Sequence, residues 1–282
     1  VREVLGRLGL RPPAGRVITV GGTNGKGSTV TLVHDVLRAA GAQPGLYTSP
    51  HLVHYNERIR TGGRPVADAA LIAAFERVEA ARGGVALTYF EFGTLAALAC
   101  FAGAGCDYWV LEVGLGGRLD AVNALDPDIA LITTIGLDHV KTLGNSMEKI
   151  AFEKAGIIKP GLPMVIGNIQ GSPLDVILDK INAMNAKAFT YQKDFSVANI
   201  RCGIDGTIFD YRFGAFDFTD LTINLLGEHQ AHNVSLALTA FIIYAAKEGI
   251  TISESAVRTA LKHIDWQGRM QILRRQPLVI VD

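Results

Sequence analysis

Hydrophobic and polar positions follow two different periods between residues 16 and 188. Short runs rich in Val, Ile and Leu are typical of strands buried on both faces, and longer segments with apolar residues three and four positions apart are typical of helices. The predicted strands are Val17–Val20, Pro44–Tyr47, Tyr108–Val113, Ile129–Thr133, Met164–Ile166 and Ala188–Thr190, and the predicted helices are Ser28–Ala40, Ala67–Arg82, Phe90–Ala102, Ser146–Ile157 and Leu174–Ala186. This alternation indicates an α/β fold with a mainly parallel sheet flanked by helices.

The pattern changes near residue 195. Residues 195–226 carry short runs of strict alternation separated by turn residues, which predicts a small antiparallel β meander. A long apolar helix from His229 to about Lys247 follows, and then a shorter helix from Ser253 to His263. The sequence ends on a further strand, Leu278–Asp282. Because α/β folds place functional loops after such strands, we expect the protein to continue beyond it.

Composition and charge exclude some classes of partner. Of the 282 residues, 49% are hydrophobic, and the 27 basic and 27 acidic residues balance to a net charge of zero. A neutral chain gives no electrostatic reason to expect nucleic acid or an anionic membrane surface as a partner. The longest uncharged apolar run, Phe92 to Cys106, is too short to span a membrane. Three cysteines without a C-x-x-C pair favour a reducing compartment, so we expect a cytoplasmic protein.

A glycine-rich turn between the first strand and the first helix carries the clearest chemical signal. Main-chain N–H groups of such a turn, with the positive end of the helix dipole, bind phosphate. Lys26 would add a charge for the terminal phosphates, and the hydroxyl of Ser28 or Thr29 would ligate Mg²⁺. The turn departs from the usual G-x-x-x-x-G-K-[ST] pattern, since Gly27 separates Lys26 from Ser28 and Val20 replaces the first glycine. The predicted nucleotide-binding residues here are Thr23, Asn24, Gly25, Lys26, Gly27 and Ser28.

Acidic and imidazole side chains follow two later buried strands. Glu112 stands near the carboxyl end of its strand, a usual place for a Mg²⁺ ligand beside a phosphate loop. Asp138 and His139 follow the next strand, and a neutral His139 would ligate a second metal ion. We expect the strand ends that carry Glu112 and His139 to be neighbours, so that both side chains converge on Ser28.

Lys154 lies on the helix that begins at Ser146. A helical lysine is usually solvated, and that remains the simpler interpretation of the residue type alone. A lysine that is partly desolvated beside a metal ion can instead lose its proton, react with CO₂ and become a carbamate. That group would be an anionic metal ligand.

Polar residues cluster in four further segments, which are the loop after the second strand, the loop after Glu112, the start of the long helix and the stretch before the last strand. They are Thr48–Leu52 with Asn56, Glu57 and Arg58; Arg118, Asp120 and Asn123; His229, Gln230 and Asn233; and Trp266–Arg269. The first loop is expected to bind an acceptor substrate. The last segment offers a stacking ring and a guanidinium group that can bind phosphate.

Together these motifs resemble the folylpolyglutamate synthase/dihydrofolate synthase family of the Mur ligase superfamily. The matching stretches are Gly22–Ser28, Thr48–Leu52, Asn56–Ile59, Phe90–Glu91 with Thr94, Leu111–Ala121 with Asn123, Gly136–His139, Glu153–Ile157, Gly227 with His229, Gln230 and Asn233, and Trp266 with Gly268 and Arg269. They occur in the family's order over essentially the whole chain, and the family has the same extra glycine after the loop lysine. Gln267 replaces a frequent proline.

The resemblance implies an N-terminal Mur-ligase-like ATP-binding domain over residues 1–282, with residues 195–226 as its antiparallel subregion. The family continues from the position of Asp282 into a Rossmann-like C-terminal domain that forms the other wall of the active site. We therefore expect the chain alone to bind ATP weakly and to be inactive as a ligase. The implied activity is ATP-dependent addition of L-glutamate to a folate or dihydropteroate carboxylate through an acyl phosphate, by a monomer.

The resemblance also implies a role for each site residue. The catalytic residues are Lys26, Asp120, His139 and Lys154. The contacts to ATP beyond the turn are Asn233, Arg269 and Asp282. The acceptor-binding residues are Ser49, Pro50, His51, Arg58 and Asp120. The ligands of two Mg²⁺ ions are Ser28 and Glu112 for one, and His139 and carbamylated Lys154 for the other.

Three alternatives remain open from the sequence. A UDP-linked muramyl peptide ligase shares this core but carries a UDP-binding domain before the phosphate loop, and few residues precede Gly21 here. A P-loop kinase or GTPase would explain Lys26 and Glu112 but would leave Lys154 without a role. A regulatory nucleotide-binding module would need no acceptor. The sequence does not decide between dihydropteroate and a reduced folate as the acceptor.

Overall fold

The structure is a computed structural model that describes residues 1–13 and 16–282. Its centre is an eight-stranded sheet with the order β4-β3-β2-β5-β1-β6-β7-β8. The strands are β1 (Val17–Gly21), β2 (Pro44–Tyr47), β3 (Ile59–Thr61), β4 (Arg64–Pro65), β5 (Tyr108–Glu112), β6 (Ile129–Ile132), β7 (Pro163–Ile166) and β8 (Lys187–Thr190). The six predicted strands pair in parallel, which confirms the predicted fold class, and β3 and β4 extend one edge in antiparallel pairing.

Helices cover both faces of the sheet. They are α1 (Arg2–Arg7), α2 (Lys26–Ala39), α3 (Asp68–Arg82), α4 (Tyr89–Gly103), α5 (Val140–Leu143), α6 (Met147–Ala155), α7 (Ser172–Ala183), α8 (Glu228–Glu248) and α9 (Glu254–Lys262). Alternate residues of β1 point to opposite cores. Val17 packs with α4 and α6 on one face, whereas Ile18 and Val20 pack with α2 and α8 on the other. Burial on both faces explains why the strands read as continuous apolar runs.

The predicted meander is confirmed as a three-stranded antiparallel sheet. Its strands are β9 (Phe195–Gly203), β10 (Gly206–Phe213) and β11 (Phe216–Ile223). Buried aromatic residues such as Phe209 and Tyr211 join it to the core that contains α8, and the Tyr211 hydroxyl lies 2.8 Å from that of Thr239 on α8. None of the described helices combines the length and the apolar character that crossing a membrane requires.

The predicted final strand is confirmed as β13 (Leu278–Val281), and it pairs in an antiparallel hairpin with β12 (Gln271–Arg275), which the sequence pattern did not predict. One expectation about the strands was wrong, because the strands that carry Glu112 and precede His139 are not neighbours. Strand β1 lies between β5 and β6, so these two residues flank the phosphate loop from opposite sides.

Candidate active site

The glycine-rich turn after β1 is held in place by residues that follow β6. The main-chain N–H of Thr23 donates to the carbonyl of Thr134 (2.8 Å), and that of Asn24 donates to the Thr134 hydroxyl (2.9 Å). The Thr133 hydroxyl donates to the Asn24 carbonyl (2.6 Å). Gly25 closes the turn with a left-handed backbone (φ 83°), which glycine adopts without strain. The turn therefore has its shape without help from a ligand.

Helix α2 begins at Lys26, immediately after the turn. Among the described residues no side chain caps its N-terminus, so the first N–H groups remain free to bind an anion. The Lys26 ammonium donates to the Thr23 carbonyl (3.0 Å), which folds the side chain over the turn, and Ser28 is buried in the first helical turn. This is the arrangement that phosphate binding requires.

A cavity of about 620 Å³ opens above this turn at the carboxyl edge of the sheet. It brings together most of the predicted nucleotide site with the start of the predicted acceptor loop. The predicted site residues on its wall are Thr23, Asn24, Gly25, Lys26, Gly27, Ser28, Ser49, Pro50, Glu112, Asn233, Arg269 and Asp282. These predicted residues come from six different segments of the chain and meet on one concave surface, as is typical of ligand sites in α/β proteins.

Glu112 is the acidic group of this cavity. It ends β5, is only 4% exposed, and accepts a hydrogen bond from the main-chain N–H of Ser49 (2.8 Å). Burial raises the pKa of its carboxyl group to about 7, although the Ser49 hydrogen bond and the charges of Lys26 and Arg269 act in the opposite direction. Because this buried carboxylate accepts one main-chain hydrogen bond, a bound cation would strongly stabilise its negative charge.

Lys154 lies directly beneath the turn. The residue is 3% exposed, and its ammonium group donates to the carbonyl of Gly22 (2.7 Å). Burial and, to a lesser extent, the positive charge of Lys26 lower its pKa to about 8, although the charge of Asp138 acts in the opposite direction. Within the described part of the chain no salt bridge joins Lys154 to a carboxylate. A substantial fraction of its amine is therefore neutral near pH 8, as carbamate formation requires.

The predicted acceptor loop is organised by hydrogen bonds and aromatic contacts. Arg58 is buried, donates from Nε to Nδ1 of His51 (2.8 Å), and lies over the rings of Tyr55 and Tyr89. The Glu57 carboxylate accepts three main-chain N–H groups of the same loop. His51 and Arg58 stand beside the cavity rather than on its wall. Because Nδ1 of His51 accepts, its Nε2 carries the proton and is free to donate.

Asp120 shapes the glycine-rich loop after β5. Its two carboxylate oxygens accept from the main-chain N–H groups of Leu115 (2.9 Å) and Val122 (3.0 Å). Burial raises its pKa despite these hydrogen bonds. Asn123 ties the same loop to the end of α6, because its amide donates to the carbonyls of Arg118 and Gly156.

The second predicted metal site is more open. His139 starts α5 with a left-handed backbone, its side chain is 58% exposed, and its Nε2 lies 3.7 Å from the Asp138 carboxylate. No cluster of three or more His, Cys, Asp and Glu side chains with metal-binding geometry occurs in residues 1–13 and 16–282. The donor set around Ser28 and Glu112 suits Mg²⁺ bound largely through oxygen atoms of phosphate and water.

Comparisons with known proteins agree with this geometry. A family model described as the Mur ligase middle domain matches residues 20–241. The chain belongs to the Mur ligase family. A dihydrofolate synthase/folylpolyglutamate synthase of Escherichia coli is 39% identical over the whole chain, which covers 64% of that protein, and a folylpolyglutamate synthase of Lacticaseibacillus casei is 34% identical, with 68% covered. The chain thus spans about two thirds of the length of these relatives.

Solved structures of similar proteins contain nucleotides and folates. A structure described as an FPGS–AMPPCP complex aligns with 99% of this Mur ligase chain, with a TM-score of 0.95 and 35% identity. The alignment covers 71% of the chain in that complex. Escherichia coli FolC in complex with DHPP and ADP matches the whole chain and is 64% covered, with a TM-score of 0.90 and 38% identity. The resemblance to the folylpolyglutamate synthase/dihydrofolate synthase family is therefore confirmed.

The cavity of this Mur ligase chain also has walls that the sequence interpretation missed. They come from the ends of β6, β7 and β8 and from helix α8 and are Thr133, Thr134, Gly167, Asn168, Tyr191, His232, Ser235 and Leu236. The first five lie at or just after the end of a parallel strand. The rule that located Glu112 would have found these five if it had been applied to every strand end, but not the three residues of α8.

Proposed function

We propose that the protein containing this chain is an ATP-dependent ligase that joins L-glutamate to the carboxylate of a folate-type acceptor. The observation that carries the proposal is the cavity itself, where a preformed phosphate turn with Lys26 faces the buried carboxylate of Glu112 and the start of the acceptor loop at Ser49. The names of the relatives supply the acceptor class and the transferred amino acid.

The chemistry follows from the charge of a carboxylate, which is a poor electrophile. In the proposed reaction an acceptor carboxylate oxygen attacks the γ-phosphorus of ATP, the bond to ADP breaks, and an acyl phosphate forms. The glutamate amine then attacks the carbonyl carbon, and the tetrahedral intermediate expels phosphate and leaves an amide. Lys26 and the N–H groups at the start of α2 would stabilise negative charge on the transferred phosphoryl group.

Mg²⁺ fits the donors of the cavity. Ser28 and Glu112 would hold one ion, and His139 with carbamylated Lys154 would hold a second. When bound, the ions would neutralise phosphate charge. The low pKa and burial of Lys154 support the carbamate, because a neutral amine is the form that reacts with CO₂. Asn233, Arg269 and Asp282 also line the cavity and would contact the nucleotide.

The acceptor would lie over the loop that follows β2. Ser49 and Pro50 reach the cavity, and His51, Arg58 and Asp120 stand next to it. In this arrangement the acceptor carboxylate would approach the γ-phosphate from the side of Ser49, while the ring system would extend towards the exposed loops. We expect the ligase to act as a monomer in the cytoplasm.

Coupled ADP release tests the proposal directly. The full-length protein is incubated with ATP, Mg²⁺ and glutamate and with dihydropteroate or tetrahydrofolate, and the product is identified by mass. ADP release that needs both acceptor and glutamate, with a glutamylated product, is expected. ATP binding without such turnover would favour a regulatory nucleotide-binding module, and turnover only with a UDP-linked muramyl peptide would favour the other ligase class.

A further inference from the structure

The extra glycine of the phosphate turn has a physical partner in Trp266. A Cβ atom placed on Gly27 would lie 2.7 Å from Cζ2 and 3.4 Å from Cη2 of the indole. The first of these distances is shorter than side-chain contacts in proteins allow. The indole thus occupies the space of a side chain at position 27, which gives a reason for the departure from the usual G-K-[ST] order.

Trp266 cannot easily move away from the turn, because other groups hold its surroundings. The guanidinium of Arg60 on β3 lies 6.0 Å from the ring centroid and donates to the carbonyl of Asp265 (3.1 Å). Arg60 is buried, and it also lies 3.6 Å from the Asp265 carboxylate. The side chain of Asn224 donates to the carbonyl of Ile264 (2.9 Å). The residues on the N-terminal side of Trp266 are therefore fixed to two different sheets.

The same short segment also reaches the nucleotide cavity and the acceptor loop. Arg269 lines the cavity, three residues after the indole. Gly268 has a left-handed backbone (φ 65°), and a Cβ there would lie 3.0 Å from Leu52 of the acceptor loop. One short stretch of chain therefore connects the first turn of α2, the acceptor loop and Arg269.

We propose that Trp266, supported from behind by Arg60, is a positioning residue for the nucleotide phosphates. Trp266 fixes the distance from the first turn of α2, with Lys26 and Ser28, to Arg269. Arg60 acts only through Trp266. The inference rests on the proposed function, since it assumes that the cavity binds ATP. It assigns a nucleotide effect to Arg60, which belongs to β3, the strand next to the sheet edge, and is not on the cavity wall.

A double-mutant cycle, with Mg²⁺–AMPPCP as the probe, tests whether Arg60 affects nucleotide binding through Trp266. Trp266→Leu is expected to raise the Kd for AMPPCP about ten-fold, and Arg60→Met about five-fold, because each removes part of the support behind the turn. In the Trp266→Leu background, Arg60→Met should raise the Kd for AMPPCP by less than about two-fold, because the indole through which Arg60 acts has been removed. Arg60→Lys keeps a cation over the ring and should recover most of the affinity.

Controls separate positioning from loss of fold. Arg64→Met, on the neighbouring strand β4 and exposed, should leave the Kd unchanged, and melting temperatures are compared for every variant. In a Trp109→Phe variant of residues 1–282, Trp266 is the remaining tryptophan, so its fluorescence should change when AMPPCP binds. Trp266→Phe keeps a ring against the turn and should show a smaller loss than Leu.

Each outcome bears on one of the two proposals. The positioning role would be overturned if Arg60→Met weakened AMPPCP binding equally in the presence and absence of Trp266. It would also be overturned if Trp266→Leu left the Kd for AMPPCP unchanged. In the full-length ligase the KM for the acceptor should stay constant while the Kd for nucleotide and kcat change. Unsubstituted protein that binds AMPPCP but makes no glutamylated product would contradict the proposed function and leave the positioning role standing. Absence of any nucleotide binding would contradict both.

Discussion

The proposed nucleotide side and the proposed acceptor side of the cavity are built differently. On the nucleotide side the polar groups are buried and fixed by protein partners, as Glu112 is by Ser49 and Lys154 is by Gly22. On the acceptor side the loops after β2, β5 and β6 expose large apolar side chains, with Leu119 80% exposed and Val53 74% exposed. The charges of Glu112 and Lys154 therefore act through a low dielectric, whereas the acceptor loops present exposed side chains that carry no charge. Substitutions on the nucleotide side should therefore have the larger effects.

The largest effect is expected for Lys26→Ala. Loss of the ammonium over the phosphate turn removes charge stabilisation in a partly buried site, and kcat/KM for ligation should fall by about three orders of magnitude or more. The melting temperature should change little, since the side chain contacts a turn carbonyl and not the core. Steady-state kinetics of the full-length protein measure the effect, with the exposed Lys193→Ala as the matched control. Near-normal turnover would show that the turn does not bind the transferred phosphate.

The second largest effect is expected for Glu112→Gln, which should also change how nucleotide affinity depends on pH. The variant should lose ligation by about two orders of magnitude, because an amide is a weak ligand for Mg²⁺. The carboxyl pKa of about 7 in the free protein means that protons compete with the metal at lower pH. Mg²⁺-dependent AMPPCP affinity should therefore fall about ten-fold per pH unit below 7 and level off above it.

Calorimetric titration at several pH values measures this dependence. The Gln side chain does not titrate, so the variant should show weak affinity that hardly varies over the same range. If the unsubstituted protein has the same affinity at pH 5 and pH 8, then Glu112 is not the group that binds the metal.

Lys154 tests how far burial alters chemistry on the nucleotide side. Lys154→Gln should lower kcat by about one to two orders of magnitude, since it removes the amine that forms the carbamate. Protein equilibrated with carbon-labelled bicarbonate near pH 8 should show a carbamate carbonyl signal by NMR that is absent from the variant. Lys149→Gln, on the same helix but exposed, is the matched control. Without a carbamate signal, Lys154 would be a cation that only supports the turn at Gly22.

The smallest effect is expected on the acceptor side. His51→Ala removes the group that Arg58 holds beside the cavity and should raise the acceptor KM about five- to ten-fold. The Kd for AMPPCP should stay unchanged, because His51 lies off the nucleotide wall. Parallel measurements of KM and Kd provide the test, with the exposed His54→Ala as a control. A large loss of nucleotide affinity in His51→Ala would remove the distinction between the two sides.

Local sequence signals predicted most of the fold and the residues that line one side of the cavity. The six parallel strands and the meander have strong periodic patterns, Lys26 and Ser28 lie in the first turn of the helix that follows β1, and Glu112 ends β5, at the sheet edge where α/β proteins bind ligands. Strand order could not be read in the same way. The position of β1 between β5 and β6 depends on contacts between segments about 90 or more residues apart, which no local pattern encodes.

Some functional contacts were equally hidden. The reason for Gly27 lies in Trp266, at the other end of the chain, and only the folded structure brings the two together. Strand β12 was missed because its sequence alternates weakly, and it forms through pairing with β13. The burial of Lys154 could not be derived from residue type, since it results from the turn that folds over α6.

The central claim is that this cavity activates an acceptor carboxylate by transferring the γ-phosphoryl group of ATP to it. The most direct test supplies the full-length protein with an acceptor whose carboxylate carries heavy oxygen, together with ATP, Mg²⁺ and glutamate. The account predicts that one heavy oxygen atom appears in the released phosphate for each amide formed, because the acyl phosphate is cleaved between carbon and oxygen. Phosphate free of heavy oxygen, with normal formation of the glutamylated product, would contradict it.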